Sequence, residues 1–333
     1  MPSTAELGAT GVDITRVGLG AWAIGGGEWQ GGWGPQDDKD SIGAIHRALE
    51  HGVNWIDTAP AYGLGRAEEV VGEAVRQLPE ADRPLVVTKC GLVWEPGQKT
   101  VSNSLAPATI RRECEDSLRR LGVEALDLLQ AHWPTWDGTP LEESWATMAA
   151  LVDEGKVRYI GLSNFTVADL EACEAIRHVD TYQPQLNLLV RQAGAEAIPW
   201  CAAHGTGVIV YSPMRSGLLT GRFSAERVAS LPDDDWRAGD PDFQEPKLSA
   251  NLALVERLRP VAERLGATLP ELAVAWALSW PGVTGAIVGA RTPEQVDGWV
   301  EADSVRLEDK DLEEIAAAVE QTGAGEGPAR PGH

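Results

Sequence analysis

The chain is short of positive charge. It carries 28 Lys and Arg against 50 Asp and Glu, a formal net charge of −22. That balance argues against nucleic acid or an anionic membrane as a general partner, and it favours solubility. It also requires any site for an anionic cofactor to be locally basic against the global field. Cysteine is scarce. Cys90, Cys114, Cys173 and Cys201 are scattered, with no CxxC pair. They offer neither a disulfide framework nor a zinc motif, and as packing residues they suit a reducing cytoplasm. Long apolar runs are missing, so no segment is expected to span a bilayer. Met1-Pro2-Ser3-Thr4-Ala5-Glu6 lacks a basic region followed by a hydrophobic one, so no export signal is visible. Of the six His, only His132 stands convincingly at the end of an apolar run. A metal-dependent barrel hydrolase would need His-x-His, or several His and carboxylates, at its strand ends.

What is present is a chain of 333 residues, 43% hydrophobic, long enough for one large barrel or two ordinary domains. No linker divides it. Leu7 to Thr15, centred on Thr10-Gly11, reads as a short hairpin. Eight strand-then-helix units follow. The strands are Arg16–Gly20, Val53–Asp57, Leu85–Lys89, Leu126–His132, Arg158–Leu162, Tyr182–Leu186, Gly207–Tyr211 and Gly285–Val288. The helical spacing between them is clear from Asp38 to His51 and from Pro107 to Leu121, where Pro107 suits a first turn. A long insertion runs from Ser212 to Lys247 and contains the acidic run Asp233-Asp234-Asp235. Eight alternating units argue for a single α/β domain over residues 1–321, a (β/α)8 TIM barrel with the hairpin closing its bottom. Residues 322–333 are rich in Gly and Pro and are expected to form a disordered tail.

Polar residues stand at the ends of several apolar runs. Asp57 ends one such run, and Tyr62 sits in the break made by Pro60 and Gly63. Lys89 closes Leu85-Val86-Val87-Thr88. His132 closes the run from Leu126 to Ala131, and Ser163-Asn164 closes Tyr159-Ile160-Gly161-Leu162. A barrel with functional groups at the C-terminal ends of its strands would gather these on one rim. Singly, each has a plainer reading: a loop cap, a solvated lysine, a buried imidazole. Tryptophan is abundant at 13 residues. Trp22, Trp29, Trp33, Trp94, Trp133 and Trp136 fall in loops after strands, which suggests an aromatic-walled pocket.

The motifs Asp57-Thr58-Ala59-Pro60-Ala61-Tyr62-Gly63, Val87-Thr88-Lys89, Gln130-Ala131-His132-Trp133-Pro134 and Gly161-Leu162-Ser163-Asn164-Phe165 occur in this order. Together they resemble the aldo-keto reductase superfamily, from about Leu7 to about Glu320. The branch most resembled is the bacterial, NADPH-using one with a Gly-Ala-Arg-x-Pro-x-Gln motif, here Gly289 to Gln295. The resemblance implies an NADP-dependent oxidoreductase that reduces aldehydes and ketones, acting as a cytoplasmic monomer on a small molecule.

The resemblance carries a catalytic tetrad onto Asp57, Tyr62, Lys89 and His132. The chemistry is consistent. Carbonyl reduction needs a proton donor opposite the hydride source. Tyr62 is the natural acid, Lys89 would lower its pKa, Asp57 would hold Lys89, and His132 would orient the substrate oxygen. For the cofactor, the resemblance implies Gly20, Ala21, Trp22 and Asp57 near the first two strand ends. It places Ser163, Asn164 and Gln183 on the nicotinamide carboxamide, Gln183 rather than Gln185 because Asn187 follows four positions later. Tyr211 would stack on the ring. Ser212, Pro213, Met214, Gly217 and Leu218 would wrap the pyrophosphate, with Arg222 or Arg215 as its basic partner. Gly289, Arg291 and Gln295 would favour NADPH over NADH, Arg291 by offering a planar fork to phosphate. Many relatives follow this motif with Glu-Asn for the adenine amine. Here Gly298-Trp299 stands instead, which points to stacking. Trp22, Trp94 and Trp133 are the candidate substrate contacts, and no metal is expected. The alternative role is a cofactor-binding regulatory or sensor subunit with little turnover.

Overall fold

The computed structural model describes residues 2–135, 137–232 and 235–332. Trp136, Asp233, Asp234 and the last residue of the tail, His333, lie outside the described residues.

The chain starts with an antiparallel pair, β1 (Thr4–Glu6) and β2 (Asp13–Thr15). Its turn uses Gly8 and Gly11 at φ +59° and +72°, where glycine carries no Cβ penalty. The alternation then runs through β3 (Val17–Gly20), α1 (Asp38–Glu50), β4 (Trp55–Asp57), α2 (Arg66–Arg76) and β5 (Leu85–Cys90). A small hairpin not foreseen from the sequence, β6 (Leu92–Val93) with β7 (Ser102–Asn103), precedes α3 (Pro107–Leu121). Next come β8 (Leu126–Ala131), α4 (Leu141–Asp153), β9 (Val157–Ser163), α5 (Val167–Glu174), β10 (Thr181–Gln183), α6 (Ala197–His204) and β11 (Gly207–Tyr211). The insertion holds the short α7 (Ala225–Ala229), and α8 (Lys247–Leu265) and α9 (Leu269–Leu278) follow. The chain finishes with β12 (Val283–Gly289), α10 (Pro293–Asp297) and α11 (Asp309–Thr322).

Eight strands close a parallel barrel in the order β10-β11-β12-β3-β4-β5-β8-β9. This is the (β/α)8 architecture, with the β1–β2 hairpin beneath it. Strand alternation divides the core in two. Outward side chains pack against the helices. Inward ones form a plug of Leu7, Ile14, Trp55, Val87, Leu128, Ile209 and Ile287. The Trp55 indole donates to the Thr15 carbonyl at 2.8 Å. Gly18 makes room for that ring, since a Cβ there would lie 2.1 Å from it. Two residues further along β4, β5 and β8, the same inward face carries Asp57, Lys89 and Gln130. The period of two therefore lifts polar groups to the upper rim above an apolar plug.

Capping sets several helix starts. Thr166 and Asp169 form a reciprocal box on α5, and Thr268 and Glu271 form one on α9. Pro107 occupies the first turn of α3.

The residues after α11 correct the expectation of a disordered tail. Ala324 is buried, and Gly325 and Gly327 turn the chain at φ +65° and +97°. The Arg191 and Glu326 N–H groups bond to the Glu326 and Leu189 carbonyls at 2.9 and 3.0 Å. The buried Arg191 guanidinium donates to the carbonyls of Ala324, Gly327 and Pro328. A distant arginine thus satisfies a segment whose composition alone reads as loose.

Candidate active site

Asp57 closes β4, Lys89 lies in β5, and His132 follows β8. Tyr62 sits in the turn after β4, and a Cβ at Gly63 would fall 2.1 Å from the Gly25 carbonyl oxygen. Glycine there lets the Tyr62 turn approach the loop after β3. The four side chains meet at the top of the barrel. Lys89 Nζ donates to Asp57 Oδ1 and Oδ2 at 2.7 and 2.8 Å, and to the Thr58 carbonyl at 3.0 Å. It lies 5.2 Å from the centroid of the Tyr62 ring. Tyr62 and His132 meet edge to face at 5.8 Å.

Burial governs the electrostatics. It pushes the Asp57 carboxyl up and the Lys89 ammonium down, and their contact opposes both shifts. Burial, then the Lys89 charge, push the His132 imidazole well below its usual 6.5. Burial, then Asp57 and Tyr211, push the Tyr62 phenol well above 10. This corrects the expectation that Lys89 lowers it. An ammonium has three hydrogens, and Lys89 directs all three to Asp57 and Thr58. Tyr62 feels it only through space, against burial and a nearby carboxylate.

Beside the tetrad, Ser163, Asn164, Gln183 and Tyr211 form a connected group. Ser163 Oγ donates to the Gln183 carbonyl at 2.9 Å. Asn164 Nδ2 donates to the His132 carbonyl and to Ser163 Oγ, both at 3.0 Å, while its Oδ1 accepts from the Tyr211 hydroxyl at 2.8 Å. Asn164 holds this position at φ +68°, a left-handed conformation unusual outside glycine. Gln183 Nε2 donates to Asp57 Oδ2 at 2.8 Å.

From Tyr62 a cavity of about 750 Å³ extends between β11, β12 and the insertion. Its lining includes Gly20, Trp22, Asp57, Tyr211, Ser212, Pro213, Met214, Gly217, Arg222, Gly289, Arg291 and Gln295. Ser212 and Ser216 take positive φ, at +56°, which is backbone strain of the kind that gathers at ligand sites. Three candidates are placed otherwise. Ala21 is buried and donates its N–H to the Asp57 carbonyl. Leu218 is wholly in the core. Arg215 turns away to a two-carboxylate clamp with Asp240 and Asp242 at 2.7–2.8 Å. Three arginines that no motif marked, Arg227, Arg237 and Arg259, line the cavity with Arg222 and Arg291. The groove is locally basic in an acidic protein, and its volume, strained backbone and arginines fit a dinucleotide with two or more phosphates.

Arg291 is tied to the loop after β3. Its Nε donates to Gln36 Oε1 at 2.6 Å, Nη1 to the Trp33 carbonyl at 3.1 Å, and Nη2 to the Pro35 carbonyl. A guanidinium offers five N–H groups, so two remain for a ligand. Arg237, anchored on Asp235, stacks over Trp33 at 4.7 Å. Trp22, Trp33 and Trp236 pack on one another at 5.1–5.7 Å, so the β3 loop and the insertion meet above the groove. Trp29 reaches the Tyr62 ring at 6.1 Å. Trp94 lies against Arg120, and Trp133 is 40% exposed; neither is among the described residues lining the cavity. Trp299 is 2% exposed, yet it and Gly298 are among the residues that line the cavity.

Comparison with known proteins agrees with this geometry. The sequence profile of the "Aldo/keto reductase family" matches residues 16–320. The aldo-keto reductase YhdN of Bacillus subtilis is 37% identical over 95% of this chain and 93% of its own length. The NADH-specific methylglyoxal reductase of Escherichia coli is 36% identical over 95% and 98%. Among solved structures, the glycerol dehydrogenase of Gluconobacter oxydans superposes with a TM-score of 0.86, at 37% identity over 96% of this chain and 95% of that one. With a tetrad-bearing rim, a basic groove and matches along nearly its whole length, the chain belongs to the aldo-keto reductase family and is an oxidoreductase of carbonyl compounds.

Proposed function

We propose that the protein is an NADPH-preferring reductase of small aldehydes and ketones, with Tyr62 as the proton donor. The observation that carries this is the placement of the Tyr62 phenol where the basic groove meets the Asp57–Lys89 pair, with Lys89 Nζ 5.2 Å from its ring centroid and His132 edge-on to it. A bound nicotinamide would supply the hydride. The chain's own residues supply the rest. Asp57 holds Lys89 in place. His132, kept neutral, hydrogen-bonds the substrate oxygen and orients it toward the phenol. As oxygen gains charge, Tyr62 passes its proton to it, and the Lys89 charge near its ring stabilises the phenolate left behind. Trp22 and Trp29 exclude water beside Tyr62.

Preference for NADPH is supported by Arg291, whose two remaining N–H groups suit a phosphate, and by the neighbouring Arg237. Two relatives are named for methylglyoxal and for glycerol. Both molecules are short and carry oxygen on adjacent carbons, and we extend that class of substrate to this chain. The four cysteines are free and buried, in keeping with work as a monomer in a reducing cytoplasm.

The test follows NADPH and NADH absorbance with a panel of short carbonyls, methylglyoxal included, for wild type and Tyr62→Phe. Wild type should consume NADPH faster than NADH. The variant should lose about 10²-fold or more in kcat while binding cofactor as before. Undiminished turnover in Tyr62→Phe would remove Tyr62 from the proton-donor role.

A further inference from the structure

Gln130 is fully buried on the inward face of β8. It pairs across the sheet with Gly161 of β9, and Gly161 pairs with Thr181 of β10. Gly161 is not in the left-handed region, so glycine is needed here for space rather than for backbone freedom. A Cβ on Gly161 would lie 2.1 Å from Thr181 Oγ1 and 2.5 Å from the Thr181 carbonyl oxygen. Across that gap Gln130 Nε2 reaches Thr181 Oγ1 at 3.0 Å.

The other end of the Gln130 amide faces Gln183. Gln130 Oε1 accepts from Gln183 Nε2 at 2.7 Å, and the same nitrogen donates to Asp57 Oδ2 at 2.8 Å. A primary amide nitrogen has two hydrogens, so both of those on Gln183 are placed. The Asp57 bond alone would leave the Gln183 amide free to pivot about it. Two bonds from one nitrogen fix the plane of the group. The Thr181 contact, opened by Gly161, keeps Gln130 from swinging away. What remains is Gln183 Oε1. It has no partner among the described residues, and it is not sealed from solvent.

We propose that Gln130 is a positioning residue for the nicotinamide carboxamide. Through Thr181 and the space left by Gly161 it fixes the plane of Gln183 and presents Gln183 Oε1 to the amide hydrogens of the cofactor. This rests on the nicotinamide reading above. The chain Thr181–Gln130–Gln183–Asp57–Lys89 also joins the cofactor amide to the catalytic ion pair through buried hydrogen bonds, so the two are held in one frame.

The test measures equilibrium binding by tryptophan fluorescence for two probes: NADP+, and 2′-phospho-ADP-ribose, which lacks the nicotinamide. Gln130→Met keeps the length of the side chain and removes its acceptor. NADP+ affinity should fall roughly tenfold, the usual scale of one lost hydrogen bond, with 2′-phospho-ADP-ribose affinity unchanged. Thr181→Val, which preserves shape, should weaken NADP+ alone by a smaller factor, and it carries the test if Gln130→Met does not fold. Equal weakening of both probes in a folded variant, or no change in either, overturns the inference. So does a wild type that binds the two probes equally well, which leaves the catalytic reading standing. A wild type that binds neither probe overturns the cofactor reading itself.

Discussion

Lys89 grips Asp57 with both carboxylate oxygens inside the barrel, and the two side chains are 0% and 3% exposed. Each charge has the other as its chief compensation. Removing one partner of such a pair commonly costs about 3–5 kcal/mol, because the other stays buried and unpaired. Lys89→Met should therefore lower Tm and abolish most turnover. The double variant Asp57→Asn with Lys89→Met should regain much of the stability and none of the rate. Thermal melts and kcat on the same preparations check this. A double variant as unstable as the single would show that the pair is not what holds the rim.

The direction of the Tyr62 shift sets the pH dependence of the two reaction directions. A phenol pushed well above 10 stays protonated at neutral pH, which is the form needed to reduce a carbonyl. Alcohol oxidation needs the phenolate. The reductive kcat should be level from roughly pH 6 to 9, and the oxidative kcat should climb with pH across that range. His132, already neutral throughout, should add no break above pH 6.5. A reductive rate that falls above pH 7 would contradict the raised phenol.

A second carboxyl lies behind the site. Glu113 of α3 accepts the Gly91 N–H at 2.7 Å on one oxygen, and its other oxygen is buried without a partner. Burial raises its pKa from 4.5 to about 8. The folded state then binds the proton more tightly than the unfolded state. The stability this gives is complete below pH 4.5 and is lost as pH rises toward 8. Glu113→Gln keeps the acceptor for Gly91 and removes the titration. Urea unfolding should find the variant increasingly more stable than wild type between about pH 5 and 8, by a few kcal/mol at the upper end. A gap that does not change with pH would refute this.

Arg291 joins the cavity to the β3 loop through Gln36, Trp33 and Pro35. Arg291→Leu should raise KM for NADPH about tenfold or more, since the proposed phosphate contact would be lost, and should change KM for NADH much less. Equal effects on both cofactors would assign Arg291 to holding the loop alone.

The rim was readable in the sequence because Asp57, Lys89 and His132 interrupt apolar strands, and a polar residue ending an apolar run is a local signal. So were the eight strands of the barrel and the proline in the first turn of α3. Contacts made across the fold left no such trace. Nothing beside Gly161 announces that its missing side chain lets Gln130 meet Thr181. Arg237 lies in an insertion without a motif, yet it stacks on Trp33, some two hundred residues earlier. The tail looks loose by composition because its anchor, Arg191, is remote in the chain. The Tyr62 shift goes up for a similar reason. The lysine was visible in the sequence, but not how deeply the fold encloses the phenol beside Asp57 and Tyr211.

The arginine-lined groove sits in a protein of net charge −22. An anionic dinucleotide approaching from bulk solvent first meets repulsion, and it meets attraction only within reach of Arg222, Arg237 and Arg291. At 0.1 M salt the Debye length is about 10 Å, short enough to quiet the far field while leaving close arginine contacts largely intact. Encounter and retention therefore answer differently to salt. Modest ionic strength should speed the arrival of the cofactor and change its stay much less. The acidic surface acts as a kinetic filter that slows every anion alike, and only one shaped for the groove is kept once it arrives.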